Sequence, residues 1–99
     1  MKRILVTGGN KGIGKAIVSR LLTEWKDTHV VMGSRSVERG QQAIQDLIAE
    51  LPGDIKDRLE LLELDTSSDE SVKAAADKIA NEPELYGIIN NAGVSERMK

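Results

Sequence analysis

Hydrophobic residues along this chain follow two alternating patterns: short runs rich in apolar residues, and longer stretches with apolar residues at helical spacing. The short runs predict strands at 3–7, 29–33, 59–64 and 85–90. The periodic stretches predict three helices, whose apolar stripes are Ile13, Ile17, Val18, Leu21, Leu22 and Trp25; Ala43, Ile44, Leu47, Ile48 and Leu51; and Val72, Ala75, Ala76 and Ile79. The resulting order, βαβαβαβ, predicts an α/β fold with a parallel sheet and right-handed crossovers.

Capping residues mark the ends of two predicted helices. Ser36 is suited to cap the second helix, which Pro52 and Gly53 are expected to end. Ser67 and Glu70 have the spacing of a capping box, which places the start of the third helix just after Ser67.

The expected strand order is 3-2-1-4, because helical crossovers in such folds start from the middle of the sheet. This order places the fourth strand, 85–90, at an edge. Neither proline nor a central charge protects Ile88 and Ile89 there. An unprotected apolar edge is a template for pairing with another chain. We therefore expect the chain to associate through residues 85–90, as an edge-paired dimer or with a complementary fragment, or else to fold poorly.

Composition narrows the class of protein. The chain has 99 residues, 39% of them hydrophobic, which suits one small domain. A net charge of -2 argues against general binding to nucleic acid or to anionic membranes. No cysteine is present, and no apolar run approaches the length of a membrane span or of a signal peptide. We therefore expect a soluble protein of the cytoplasm.

A glycine-rich loop lies between the first predicted strand and the first predicted helix. Its pattern is Gly8-x-x-x-Gly12-x-Gly14. A helix N-terminus attracts phosphate, and glycine lets a pyrophosphate approach the backbone without meeting a Cβ. The alternative is a tight turn with no ligand. A Walker phosphate loop fits less well, because Lys15 is followed by Ala16 rather than by Ser or Thr.

The end of the second strand indicates which dinucleotide such a loop would bind. NAD-binding folds usually carry an acid there for the ribose 2′-hydroxyl, whereas this chain reads "MGSRS" and offers Arg35. A guanidinium can bind a 2′-phosphate in a bidentate manner, and Lys11 would add a second positive charge. The alternative is an ordinary solvated arginine. We expect NADP(H) as the cofactor.

Motifs at three strand ends resemble the short-chain dehydrogenase/reductase family. They are "TGGNKGIG" (7–14), Asp65-Thr66 and "NNAG" (90–93). Together with "SRSVERGQQA" (34–43), the first motif is similar to the NADPH-dependent carbonyl reductases within that family. The resemblance implies a Rossmann-type sheet, incomplete relative to the full family domain, with residues 1–99 as its N-terminal dinucleotide-binding half.

The resemblance also implies roles for individual residues. Those at the cofactor phosphates are Gly8, Gly12, Ile13 and Gly14, and those near the 2′-phosphate are Asn10, Lys11 and Arg35. Asp65 would accept from the adenine amino group with Thr66 beside it, and the residues lining the adenosine ribose would be Asn90, Asn91, Ala92 and Gly93. Asp65 could also simply lead into the helix cap, and the two asparagines could end the strand by bonding to neighbouring loops.

The residues that the family uses for chemistry are absent from this sequence. That chemistry needs a serine and a Tyr-x-x-x-Lys motif, but Tyr86 is the only tyrosine and Asn90 stands four positions later. We therefore expect no catalytic residue and no metal site in residues 1–99. The favoured function is the NADP(H)-binding portion of an oxidoreductase that reduces a small-molecule carbonyl substrate. The alternatives are a non-catalytic module that binds NADP or an adenine nucleotide, and a structural fragment without a ligand.

Overall fold

Strands and helices alternate in the predicted order throughout the part of the chain that the structure describes. The computed structural model describes residues 2–8, 12–51, 53, 55–80 and 85–89. The strands are β1 (Lys2–Thr7), β2 (Thr28–Ser34), β3 (Leu59–Glu63) and β4 (Leu85–Ile89). The helices are α1 (Gly12–Glu24), α2 (Val37–Glu50) and α3 (Asp69–Ala80), and a short 3₁₀ turn, Lys56–Arg58, precedes β3.

The strands form one parallel sheet in the order β3-β2-β1-β4, which confirms the predicted topology. β1 lies in the interior, where Leu5 is in register with Val31 of β2 on one side and Ile88 of β4 on the other. Because all strands run the same way, their carboxyl ends meet at one edge of the sheet, where ligands bind in folds of this kind.

Both faces of the sheet are apolar, as the short runs rich in apolar residues predict. On one face, Val6, Val30 and Met32 are fully buried under α1 and α2. On the other face, Leu5 and Val31 pack with Leu62 and with Ala75 of α3. The ends of the α1 stripe do not reach the core, because Ile13 and Trp25 are both largely exposed.

Helix α2 begins and ends as the sequence predicts. The Ser36 hydroxyl accepts the Arg39 backbone N–H at 3.2 Å, which makes Ser36 the N-cap. Gly40 lets the helix approach the sheet closely, since a Cβ there would lie 3.2 Å from Ser34 Cβ and 2.4 Å from Leu61 Cδ1. The last helical residue is Glu50, shortly before the predicted Pro-Gly stop.

The predicted cap of α3 is wrong by one residue. Helix α3 begins at Asp69, and it is the Ser68 hydroxyl that accepts the Ser71 backbone N–H, at 3.3 Å. The Ser68 carbonyl also accepts the Val72 N–H, which is the first bond of the helix. Ser67, which has the capping-box spacing from Glu70, is one residue too early and is available for other contacts.

A row of charged side chains crosses the amino-terminal part of the sheet on the α3 side. We call Arg3, His29 and Glu60 the charged row; each is the second residue of its strand. Glu60 Oε1 accepts from the Arg3 guanidinium and lies 3.2 Å from His29 Nε2. The Arg3 side chain is only 8% exposed, compared with 22% for His29 and 32% for Glu60.

β4 lies at the edge of the sheet, as predicted, and displays apolar side chains. Tyr86 and Ile88 are 68% and 62% exposed, whereas Leu85 and Ile89 pack against the two cores. The Lys2 ammonium lies 4.8 Å from the centre of the Tyr86 ring, a cation–π contact across the strand pair.

Candidate dinucleotide-binding site

The loop after β1 has the backbone geometry that its glycines predict. Gly8 and Gly12 have φ values of +63° and +57°, in the left-handed region that L side chains rarely adopt. α1 begins at Gly12, and no acidic residue occupies its first turn. Gly14 is buried within that turn, while Ile13 is exposed. Gly8 and Gly12 thus flank a helix N-terminus at the carboxyl edge of the sheet, a position that favours anions.

Arg35 lies at the same edge, directly after β2, in a turn that a buried serine holds together. Ser34 Oγ donates to the Ser36 carbonyl at 2.8 Å and accepts the Ser36 N–H at 3.3 Å, so its bonds span Arg35. Arg35 itself is exposed, and no hydrogen bond or ion pair joins it to another described residue. Its guanidinium is thus positioned by its backbone and available to an anion.

An open groove of about 400 Å³ separates the end of β2 from the start of α3. Its lining residues are Arg35, Glu63, Asp65, Ser68, Glu70, Ser71 and Ala74. Arg35 supplies the basic wall, and the acidic wall consists of Glu63 at the end of β3, Asp65 in the following connection and Glu70 at the start of α3. This volume falls in the range of small-molecule sites, and the two walls suit a ligand that carries both an anionic group and an amine.

Asp65 is held on the acidic wall by its own neighbours. Its Oδ1 accepts the Ser67 N–H at 3.0 Å and the Ser67 hydroxyl at 2.6 Å. Its backbone N–H donates to Ser71 Oγ at 2.8 Å, and its carbonyl accepts the Ser68 N–H at 3.0 Å. These bonds tie both the backbone and the carboxylate to the start of α3.

The same bonds determine the ionisation of Asp65. The Ser67 hydroxyl and then the Ser67 backbone N–H lower the pKa of Asp65 below its ordinary value, and the positive charge of Arg35 lowers it further. Asp65 is therefore a carboxylate near neutral pH, and a carboxylate can only accept hydrogen bonds.

The structure brings together some of the predicted site residues and leaves others out of its description. Those it places at the carboxyl edge are Gly8, Gly12, Ile13, Gly14, Arg35, Asp65 and the exposed Thr66. Those outside the described residues are Asn10, Lys11, Asn90, Asn91, Ala92 and Gly93. The predicted pairing of Lys11 with Arg35 thus has only its arginine within the described part of the chain.

Sequence reasoning missed the serines that hold the site. Ser34 organises the turn around Arg35, whereas Ser67 and Ser71 bind the side chain and the backbone of Asp65. The available signal was the density of small hydroxyl residues directly after two strands, in "GSRS" and "DTSSDES". Such residues commonly bond to nearby backbone groups in turns.

The described ranges contain neither a candidate metal site nor a candidate membrane-spanning helix. No group of three or more His, Cys, Asp or Glu side chains there is arranged to hold a metal ion. None of the helices in those ranges is both long and apolar enough to cross a membrane.

A parallel sheet in this strand order, with flanking helices and a glycine loop before its first helix, defines a fold of the Rossmann type. The sequence matches the short chain dehydrogenase family over residues 2–99. The chain therefore belongs to that family, which confirms the resemblance carried by its motifs.

Individual relatives agree with this assignment. Human carbonyl reductase [NADPH] 1 is 42% identical over 95 residues, which span 92% of this chain and 31% of the relative. The solved menthone neomenthol reductase from Mentha piperita superimposes with a TM-score of 0.80 at 36% identity, over 92% of this chain and 31% of that one. The solved N-domain with NADP of a bacterial malonyl-CoA reductase superimposes with a TM-score of 0.78 at 31% identity, over 91% of this chain and 16% of that one. The chain thus spans about a third of the length of the relative and less of some solved structures.

Proposed function

We propose that this chain binds NADP(H) along the carboxyl edge of its sheet, as the cofactor-binding portion of a short-chain oxidoreductase that reduces a carbonyl compound. The observation that carries the proposal is the guanidinium of Arg35 after β2, facing a groove whose other wall offers the Asp65 carboxylate. The names of carbonyl reductase [NADPH] 1 and of the N-domain with NADP support the choice of cofactor.

The proposed contacts are those that the family's motifs imply for the matching residues of this chain. The start of α1 binds the pyrophosphate, with the residues Gly8, Gly12, Ile13 and Gly14. The 2′-phosphate is bound by Arg35 together with Asn10 and Lys11, and the adenine amino group donates to Asp65 beside Thr66. The adenosine ribose is lined by Asn90, Asn91, Ala92 and Gly93. When bound, NADPH supplies a hydride, and these residues hold and orient its adenosine half.

Calorimetric titration with NADP⁺ and NAD⁺ tests the proposal. Loss of a charge-assisted contact costs roughly 1.5–3 kcal/mol, so we expect NADP⁺ to bind about ten- to a hundredfold more tightly. Arg35→Asp should reverse this preference, because a carboxylate repels the 2′-phosphate and accepts from the 2′-hydroxyl. Arg20→Asp, which makes the same charge change on α1 and breaks only an exposed pair with Glu24, should leave it unchanged. Equal affinity of the wild-type chain for both dinucleotides would contradict the proposal.

A non-catalytic NADP-binding module is the second candidate, because residues 1–99 lack the Tyr-x-x-x-Lys motif. The purified chain should not oxidise NADPH in the presence of quinones, aldehydes or ketones. A reproducible rate that Gly14→Val abolishes would show that chemistry resides within these residues after all.

We also propose that the chain self-associates through β4. Its outer side faces no other strand among the described residues, and Tyr86 and Ile88 are exposed there. Light scattering at rising concentration should detect dimers of the wild-type chain, and Ile88→Lys should remain monomeric. Ile48→Lys, at an exposed site on α2, should still dimerise. A wild-type monomer at high concentration would exclude pairing through this edge.

A further inference from the structure

We propose that Ser67 is a positioning residue: it fixes the Asp65 carboxylate so that the nucleotide site accepts a 6-aminopurine and rejects a 6-oxopurine. This inference rests on the proposed function, since it concerns how the same groove recognises the base. It assigns to Ser67 a role in ligand choice rather than in capping a helix.

The structure leaves Ser67 available for this role. The α3 cap is Ser68, and Ser67 is an exposed residue between Asp65 and that cap. Both of its donors, N–H and O–H, bind the same oxygen of Asp65, Oδ1, at 3.0 and 2.6 Å. Oδ2 makes no hydrogen bond to any described residue. Ser67 thereby divides the carboxylate into one internally bonded oxygen and one oxygen that is available to a ligand.

The backbone of Asp65 is fixed as firmly as its side chain. The Ser71 hydroxyl accepts the Asp65 N–H at 2.8 Å, and the Ser68 N–H donates to the Asp65 carbonyl at 3.0 Å. With the backbone bonded on both sides and one carboxylate oxygen held, rotation about the side-chain torsions would break contacts. The direction of Oδ2 is therefore set before a ligand arrives, which reduces the entropic cost of binding.

The chemistry of the purine edge follows from this arrangement. An ionised carboxylate has only acceptor sites, so it can bond the 6-amino group of adenine but not the 6-carbonyl of hypoxanthine. A site whose polar group is arranged to bond a ligand group discriminates against the analogue that lacks it. Oδ2 facing a carbonyl oxygen would lose its bond and place two acceptors together.

The charges around the groove preserve this selection. Arg35 faces Asp65 from the end of β2, while Glu63 from β3 and Glu70 from α3 share the groove. The Ser67 bonds and the positive charge of Arg35 hold the pKa of Asp65 below its ordinary value, so the group is an acceptor-only carboxylate near neutral pH. Without the Ser67 hydroxyl the carboxylate stays ionised but can rotate, so Oδ2 is no longer held toward the purine edge and discrimination weakens.

The test is to titrate the folded 99-residue chain with NADP⁺ and with its hypoxanthine analogue, in which a carbonyl replaces the 6-amino group. We expect the wild-type chain to prefer NADP⁺ about tenfold. In Ser67→Ala the ratio should fall to threefold or less, and Ser67→Thr, which keeps both donors, should restore it. Ser19→Ala on α1 makes the same chemical change outside the groove and should leave the ratio at its wild-type value.

A second variant tests the chemistry independently of Ser67. Asp65→Asn replaces an acceptor-only group with an amide that can also donate, so it should favour the hypoxanthine analogue relative to wild type. Equal affinity of the wild-type chain for the two dinucleotides, or an unchanged ratio in Ser67→Ala, would overturn the role of Ser67 and leave NADP binding intact. Binding of neither dinucleotide by the folded chain would instead overturn the proposed function, and this inference with it.

Discussion

At the amino end of the sheet the Glu60 carboxylate is shared between Arg3 and His29, whereas at the carboxyl end the Asp65 carboxylate accepts hydrogen bonds, among the described residues, only from Ser67 and lines an open groove with Arg35. Each end carries an arginine and a carboxylate from different strands or strand ends. In the charged row these groups neutralise each other across three strands. In the groove they stand on opposite walls, so their hydrogen-bonding capacity remains available to a ligand.

This comparison distinguishes charged residues that are paired within the fold from charged residues that are available to a ligand. Arg3 is almost fully buried, and its desolvation makes an internal partner necessary. Arg35 is exposed and needs no such partner, yet Ser34 fixes the turn that carries it. An ordered backbone beneath a charged side chain that bonds no other described residue thus distinguishes Arg35, at the end of the sheet where we propose that NADP(H) binds, from Arg3.

The largest effect on stability is expected from charge reversal in the charged row. Glu60→Lys would place three basic side chains together under α3, and removal of one partner from a buried pair typically costs about 3–5 kcal/mol. We expect the free energy of unfolding in urea to fall by about this amount. Glu24→Lys makes the same change in an exposed pair with Arg20 and should cost less than about 1 kcal/mol. Equal losses would mean that the charged row adds nothing beyond surface pairing.

Two neutral variants, one at each end of the sheet, separate the effect of a carboxylate on stability from its effect on NADP⁺ binding. Glu60→Gln should lower the free energy of unfolding by about 1–3 kcal/mol and leave NADP⁺ affinity unchanged in the folded chain. Asp65→Asn should change stability by less than about 0.5 kcal/mol while weakening NADP⁺ binding. Urea unfolding and calorimetry on the same samples measure both quantities. A large loss of stability in Asp65→Asn would show that both carboxylates are structural.

The smallest expected effect is the acid dependence of stability. Partial burial raises the pKa of Glu60, but hydrogen bonds from Arg3 and His29 lower it more, so its net direction is below the ordinary value of 4.5. A carboxylate with a lowered pKa in the folded state contributes stability that is present above its unfolded pKa and is lost as pH falls through the folded pKa. When urea unfolding is measured from pH 7 to pH 3, the free energy of unfolding should therefore decrease below about pH 4.5. Glu60 should account for about 1 kcal/mol or less of that decrease.

Glu60→Gln is the control for this acid loss, because it removes the titrating group. Its stability should decline less steeply below pH 4.5 than that of the wild-type chain. A slope identical to wild type would assign the acid sensitivity to other carboxylates.

Most of the fold was predictable because its rules are local or topological. Apolar runs of five or six residues indicated buried strands, and the crossover rule then gave the order 3-2-1-4. The predicted strand bounds differ from those of the structure by at most one residue. The α3 cap was mispredicted because Ser67 and Ser68 are chemically equivalent in sequence, and the choice between them depends on where Asp65 leaves β3.

The site was predictable in its residue types but not in its contacts. Positive φ at Gly8 and Gly12 and the exposure of Arg35 agree with the requirements that the sequence implied. The pairing of Ser71 with the Asp65 backbone depends on how α3 packs, which no local pattern contains. The contact of His29 with Glu60 likewise depends on the register of β2 and β3, which no local pattern contains.

The interior position of β1 has a kinetic consequence. Among the four described strands β1 is the earliest to be synthesised, but β4, its partner on one side, lies about 80 residues further along the chain. Closing so long a loop costs about 1 kcal/mol more entropy than closing the shorter β1–β2 crossover, and such non-local pairing slows folding. While the chain is being synthesised, β1, β2 and β3 can pair before β4 is available to pair with the other edge of β1. We therefore expect the first strand made to be the last one completed, which exposes its apolar edge to aggregation for as long as β4 remains on the ribosome.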